Sequence, residues 1–104
     1  MAETATPRPR TRGRTRTRSR EDTGGQVQSL ARAISILKAL ARSEDGMTLT
    51  DVALTVVLPP STTHRLLTTM QHDRIVRFDQ ATALWHVGVE AFVIGNAFIR
   101  SRDL

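Results

Sequence analysis

Residues 47–78 read MTLTDVALTVVLPPSTTHRLLTTMQHDRIVRF. This stretch predicts a short helix, a tight turn at Leu58-Pro59-Pro60, a second helix and then a strand. In the second helix Thr63, Leu66, Leu67 and Met70 recur at i, i+3, i+4 and i+7, which gathers them on one face for burial. The opposite side carries Ser61, Thr62, His64, Arg65, Thr68, Thr69 and His72. It has no carboxylate, and each of its side chains is able to donate a hydrogen bond. Short donors plus one arginine suit a surface rich in acceptors, and nucleic acid is such a surface. The major groove of DNA admits an α-helix and presents base acceptors and donors along its floor. A helix that reads it needs short polar side chains for close approach, an arginine for guanine or phosphate, and a second helix to hold its tilt.

Residues 51–57 supply that supporting helix, with Val52, Ala53 and Val56 facing inward and Thr48 or Thr50 as the N-cap. Pro60 suits the first position of the second helix, where its missing N–H is not needed. The free N–H groups there also favour a phosphate. Residues 75–78 and 84–87 predict two short strands joined by Asp79-Gln80-Ala81-Thr82-Ala83, a hairpin wing. Upstream, residues 27–42 predict a helix with Val27, Leu30, Ile34, Leu37 and Ala41 on one stripe, widened by Ile36 and Leu40, as the main donor to the core. The fold expected is mainly α with a small β-hairpin: helix, short strand, helix, recognition helix, two-stranded wing, linker helix. That is a winged helix-turn-helix.

With this pattern laid out, the chain resembles the DNA-binding domain of the IclR family of bacterial transcription regulators. The matching residues are Val27-Gln28-Ser29-Leu30-Ala31-Arg32-Ala33, Thr48-Leu49-Thr50-Asp51-Val52-Ala53, Leu58-Pro59, Ser61-Thr62 and His64-Arg65-Leu66-Leu67, with Gly88 closing the wing. The resemblance implies operator binding as a homodimer, by a domain that a linker helix joins to a separate effector-sensing C-terminal domain. The ending straight after a linker-like helix predicts a piece of such a longer regulator. The chain departs from the family at Val57, Arg74 and Ala83, where glycine is usual. It also departs at Pro60, where a basic residue is usual, and at Leu84, where an arginine follows the wing glycine. Glycine supplies positive φ, which valine adopts only with strain, so the inter-helix turn is expected to be rearranged. Without its arginine, and with His86 in place of a stronger base, the wing is expected to touch DNA weakly.

The chain is also expected to divide into three parts: a disordered basic arm over residues 1–26, the winged helix-turn-helix over 27–88, and a linker or dimerisation helix over 89–104. In the arm, Arg8, Arg10, Arg12, Arg14, Arg16, Arg18 and Arg20 alternate with proline, threonine, glycine and serine. No apolar face and strong self-repulsion predict disorder. Seven arginines against Glu3, Glu21 and Asp22 give the arm +4, and the remaining eight Lys or Arg against seven acids give +1. Two readings of the arm stand beside each other: a solubilising tail, or a strand that follows phosphates or a minor groove. No twin-arginine or other export signal is visible. Gly24-Gly25 would serve as its hinge.

The folding portion is small, roughly 75–80 residues, near the lower limit for a domain that folds alone. Hydrophobic residues make up 39% of the chain, with one Trp, three Phe and no Tyr, so the core is aliphatic. Trp85 is read as a cap on the edge of that core. Residues 91–99 are nearly apolar all round, interrupted by Gly95 and Asn96, so the last helix needs cover on more than one side, from its own domain and from a second copy. A missing C-terminal domain is the alternative cover.

Absence of cysteine excludes disulfides and thiolate chemistry. Ser61 and His64 lack an orienting carboxylate. His64, His72, Asp73 and His86 lack an i, i+3 or i+4 histidine pair. Neither an enzyme nor a metal or cofactor site is therefore expected, and no apolar run reaches membrane-spanning length. Ser61, Thr62, His64, Arg65, Thr68 and Thr69, with Arg10, Arg12, Arg14 and Arg16 of the arm, are the candidate DNA-binding residues. The function expected is sequence-specific transcription regulation at a palindromic operator, in the cytoplasm and associated with the nucleoid. The alternative is a winged-helix protein-interaction or architectural module with only general nucleic-acid affinity. The two differ in specificity ratio, which for a regulator is roughly a thousandfold or more.

Overall fold

The computed structural model describes residues 25–102. Its elements are α1 (Gln28–Arg42), α2 (Leu49–Val56), α3 (Pro60–His72), strand β1 (Val76–Asp79), strand β2 (Leu84–Val87) and α4 (Val89–Ser101). Residues 32–102 form a compact unit that carries the core. This is the winged helix-turn-helix order. The expected strand between α1 and α2 is reduced to Met47, which forms an isolated bridge with Trp85. Met47 N–H donates to Trp85 O at 3.0 Å and Trp85 N–H donates to Met47 O at 2.7 Å.

Ile36, Leu40, Val52, Leu67, Val76 and Trp85 form the core, with Leu37, Leu49, Val56, Leu66, Met70 and Phe78 packed around it. One expectation holds only in part. Val27, Leu30, Ile34 and Ala41 of the α1 stripe are exposed, whereas Leu37 packs against the core and Ile36 and Leu40, expected to widen the stripe, are buried together with Ala39. Two residues along a helix correspond to about 200° of rotation, so Ile34 and Ile36 face opposite sides. The helix therefore has two apolar faces, and the core is met by residues of its C-terminal half. Trp85 also lies deeper than an edge cap. It is 4% exposed, with the Phe78 ring tilted against it at 4.7 Å between centroids.

Thr48, rather than Thr50, caps α2, its side chain accepting from Asp51 N–H at 3.1 Å. This starts the helix two residues earlier than expected and leaves Asp51 in its first turn, where the helix dipole favours a carboxylate. Pro60 occupies the first turn of α3 as expected. Thr63 is fully buried, and its hydroxyl donates to Pro59 O at 3.0 Å, so the polar group carries no desolvation penalty of an unmade bond.

The inter-helix turn is not rearranged. Val57 itself takes the left-handed conformation, φ 59° and ψ 54°, and its N–H closes α2 onto Ala53 O. Arg74 at φ 62° and Ala83 at φ 61° do the same. These are the three positions at which the resemblance led glycine to be expected. A left-handed non-glycine residue costs on the order of 1–3 kcal/mol. Moving the turn would displace Val52 and Ala53 on one side and Thr63 and Leu67 on the other, all buried, and burial of each large apolar side chain is worth about 1.5–3 kcal/mol. Packing outweighs the local strain.

The wing pairs Val76 with Val87, Arg77 with His86, Phe78 with Trp85 and Asp79 with Leu84, antiparallel. Asp79 shapes the loop, accepting from Ala81 N–H through its side chain at 3.0 Å and from Ala83 N–H through its carbonyl at 2.8 Å. Gly88 then turns the chain into α4. Its N–H donates to Ile75 O at 2.8 Å, and a Cβ there would overlap the Arg74 backbone. Beyond that corner α4 has no buried residue, so its own domain does not provide the one-sided cover expected from sequence.

Candidate nucleic-acid interface

Helix α3 presents two sides, and their separation follows from its anchors. Thr63 and Leu67 are fully buried, with Leu66 and Met70 packed beside them. At about 100° per residue this places Ser61, Arg65, Thr69 and His72 across the outermost side, and all four are exposed. Thr62 and Thr68 are half-buried at its margins. Among the described residues the only ion pair is His72 Nδ1 with Asp73 Oδ1 at 3.5 Å, ionic only when the imidazole is protonated. Arg65 therefore faces outward without a carboxylate partner among those residues, free to meet an external anion.

His64 is placed differently from its sequence neighbours. Its ring lies edge-on to Trp85, at 6.4 Å between centroids and 81° between planes. It lines a cleft of about 410 Å³ with Thr48, Thr50, Gln71, Phe78 and Trp85. The helical face read as continuous thus splits into an outward apex and a flank that looks toward the wing. Thr68 belongs to that flank, since it lines the same cleft.

The threonines also differ from the sequence expectation of outward donors. Thr68 Oγ1 donates to Arg65 O at 3.1 Å and Thr69 Oγ1 donates to the same carbonyl at 2.7 Å. A carbonyl only accepts, so both hydroxyl protons point back into the helix and the lone pairs remain for an external partner.

His86, expected as a weak wing base, has a structural part. A Cβ on Gly46 would come within 3 Å of three atoms of the His86 ring. Gly46 has φ +91° and closes its turn through Ser43, whose Oγ donates to Gly46 O at 2.9 Å and accepts from Gly46 N–H at 3.0 Å. The imidazole covers this turn. Sequence reading overlooked Arg77, exposed on β1 opposite His86, and Arg74, exposed after α3. Both line a shallow cleft of about 280 Å³ with Gln71, Gly88 and Val89. Alternation of Arg77 between the inward Val76 and Phe78 was the available signal. Arg10, Arg12, Arg14 and Arg16 lie outside the described residues.

A helix braced by a shorter helix and followed by a two-stranded wing defines a winged helix-turn-helix protein. The chain belongs to the IclR family: the IclR helix-turn-helix domain matches residues 29–80. It is 48% identical over 80 residues to the acetate operon repressor of Salmonella typhimurium (strain LT2), covering 77% of this chain and 29% of that protein. It is 46% identical over 80 residues to the transcriptional repressor IclR of Escherichia coli (strain K12), with the same 77% and 29% coverage. The crystal structure of Pseudomonas aeruginosa HmgR superposes with a TM-score of 0.67 at 32% identity, covering 74% of this chain and 32% of that one. The chain thus spans under a third of the length of these relatives. Its family is one of DNA-binding transcription regulators, and the two curated relatives are repressors rather than enzymes.

Proposed function

We propose that this chain is the operator-binding part of a transcriptional repressor. It lays α3 in the major groove, with Arg65 contacting guanine or phosphate and Ser61, Thr62 and Thr69 closing on base edges and backbone. His64 and Thr68 meet the strand that passes between α3 and the wing. The observation that carries the reading is the apex of α3: Arg65, unpaired by any described carboxylate, stands among short side chains on a helix fixed by two fully buried anchors. Rigid placement matters because a bidentate base contact tolerates little displacement.

Two copies bind a palindromic operator, joined through the apolar side of α4, and in a longer chain a C-terminal effector domain follows that helix. The division into an arm over residues 1–26, a reading domain over 27–88 and a linker helix over 89–104 serves this function. Such a regulator works in the cytoplasm on nucleoid DNA, where the arginine arm adds affinity through phosphates that carry no sequence information.

Arg65→Ala tests the reading. Operator affinity, measured by fluorescence anisotropy on a duplex selected from genomic fragments, should fall by about 1–3 kcal/mol, with the circular dichroism spectrum unchanged. An equal affinity in the folded variant removes Arg65 from the interface. Repeating the titration across salt concentrations with residues 1–24 deleted checks the arm: the slope should flatten by roughly 0.9 per phosphate released.

A further inference from the structure

Building on the proposed DNA-binding function, we infer that Thr69 is a specificity-determining residue that selects an A·T base pair. Its hydroxyl donates to Arg65 O at 2.7 Å, a well-formed O–H···O distance. The single proton of that hydroxyl is therefore directed into the helix, and turning it toward a base would give up that bond. What Thr69 offers outward is the pair of oxygen lone pairs and a γ-methyl group. Thr69 is exposed, one turn beyond Arg65 on the outermost side of α3. Thr68 shares the same carbonyl at 3.1 Å but is half-buried along the wing cleft. Thr69 is thus the threonine of this pair that is placed to reach a base edge.

In the major groove the groups that donate are the adenine N6 and cytosine N4 amino groups, and the methyl group belongs to thymine. An acceptor beside a methyl therefore matches one pair completely. The adenine amino group donates to the Thr69 oxygen, and the thymine methyl packs on the threonine methyl. A C·G pair satisfies the oxygen and leaves the methyl without a partner. Guanine O6 and N7, both acceptors, face an oxygen with no proton to give. Arg65, one turn earlier, is the complementary reader of those acceptors, so α3 carries adjacent groups of opposite hydrogen-bonding sense.

The test is selection from a randomised duplex library by the full chain, by Thr69→Val and by Thr69→Ser, with the bound fractions sequenced. Valine keeps the shape and the methyl and removes the oxygen; serine keeps the oxygen and removes the methyl. The expected result is a motif in which one A·T position loses roughly five- to tenfold discrimination in Thr69→Val and admits C·G in Thr69→Ser, while the other positions are unchanged. An enriched motif that is identical for all three proteins, or one whose sensitive position is guanine, overturns the role of Thr69 and leaves DNA binding intact. Failure of the unaltered chain to enrich any motif overturns the DNA-binding function itself, and the inference with it.

Discussion

Helices α3 and α4 are each 13 residues long, and they solve opposite problems. In α3, four inward residues anchor a polar outer side, two of them fully buried. In α4 no residue is buried, and Phe92, Ile94, Phe98 and Ile99 are between 59% and 70% exposed. The first helix has already used its apolar residues and has only chemistry left to present. The second holds its apolar residues in reserve. Large apolar patches are uncommon on the surface of a monomer and mark contact with another surface. The contrast separates a helix held by its own domain, which the proposed function makes the reader of DNA, from one left uncovered, which the same proposal makes the joint between two copies. The Gly88 corner makes that separation possible, because it pins the start of α4 against the Arg74 backbone and leaves the rest clear.

The largest effect should come from cutting the anchor. Leu67→Ala removes a fully buried side chain from the centre of α3 and should destabilise the domain by about 3 kcal/mol, read from urea unfolding. A loss below about 1 kcal/mol would mean that α3 is not held by this contact, and the contrast with α4 would collapse. The next effect concerns the frame in front of α3. Val57 is 84% exposed at φ 59°, so Val57→Gly gives up little packing while relieving the left-handed strain. It should stabilise the domain by about 1 kcal/mol after the added entropy of the unfolded glycine is counted. Destabilisation would show that the turn tolerates valine without strain. The smallest effect on folding belongs to α4. Phe98→Glu, at a site 63% exposed, should leave the unfolding free energy of dilute monomer within about 0.5 kcal/mol. The same substitution should move the sedimentation profile from dimer to monomer, and an unmodified chain that already sediments as a monomer would assign α4 to a different partner.

Sequence periodicity determined much of this on its own. The inward set Thr63, Leu66, Leu67 and Met70, the place of Pro60 at the start of α3, the hairpin wing and the apolar character of α4 all follow from local rules of spacing and capping. Such features were legible because each is encoded within a few residues of itself. The tertiary structure decided what depends on neighbours distant in sequence. Which of two apolar faces α1 would bury was settled by where Val52, Leu67 and Trp85 lie. That His64 looks to the wing depends on Trp85, 21 positions along the chain. That Val57, Arg74 and Ala83 hold left-handed conformations at all is a decision of the whole core. A local preference of one or two kcal/mol yields when the elements on both sides of it are already fixed by burial.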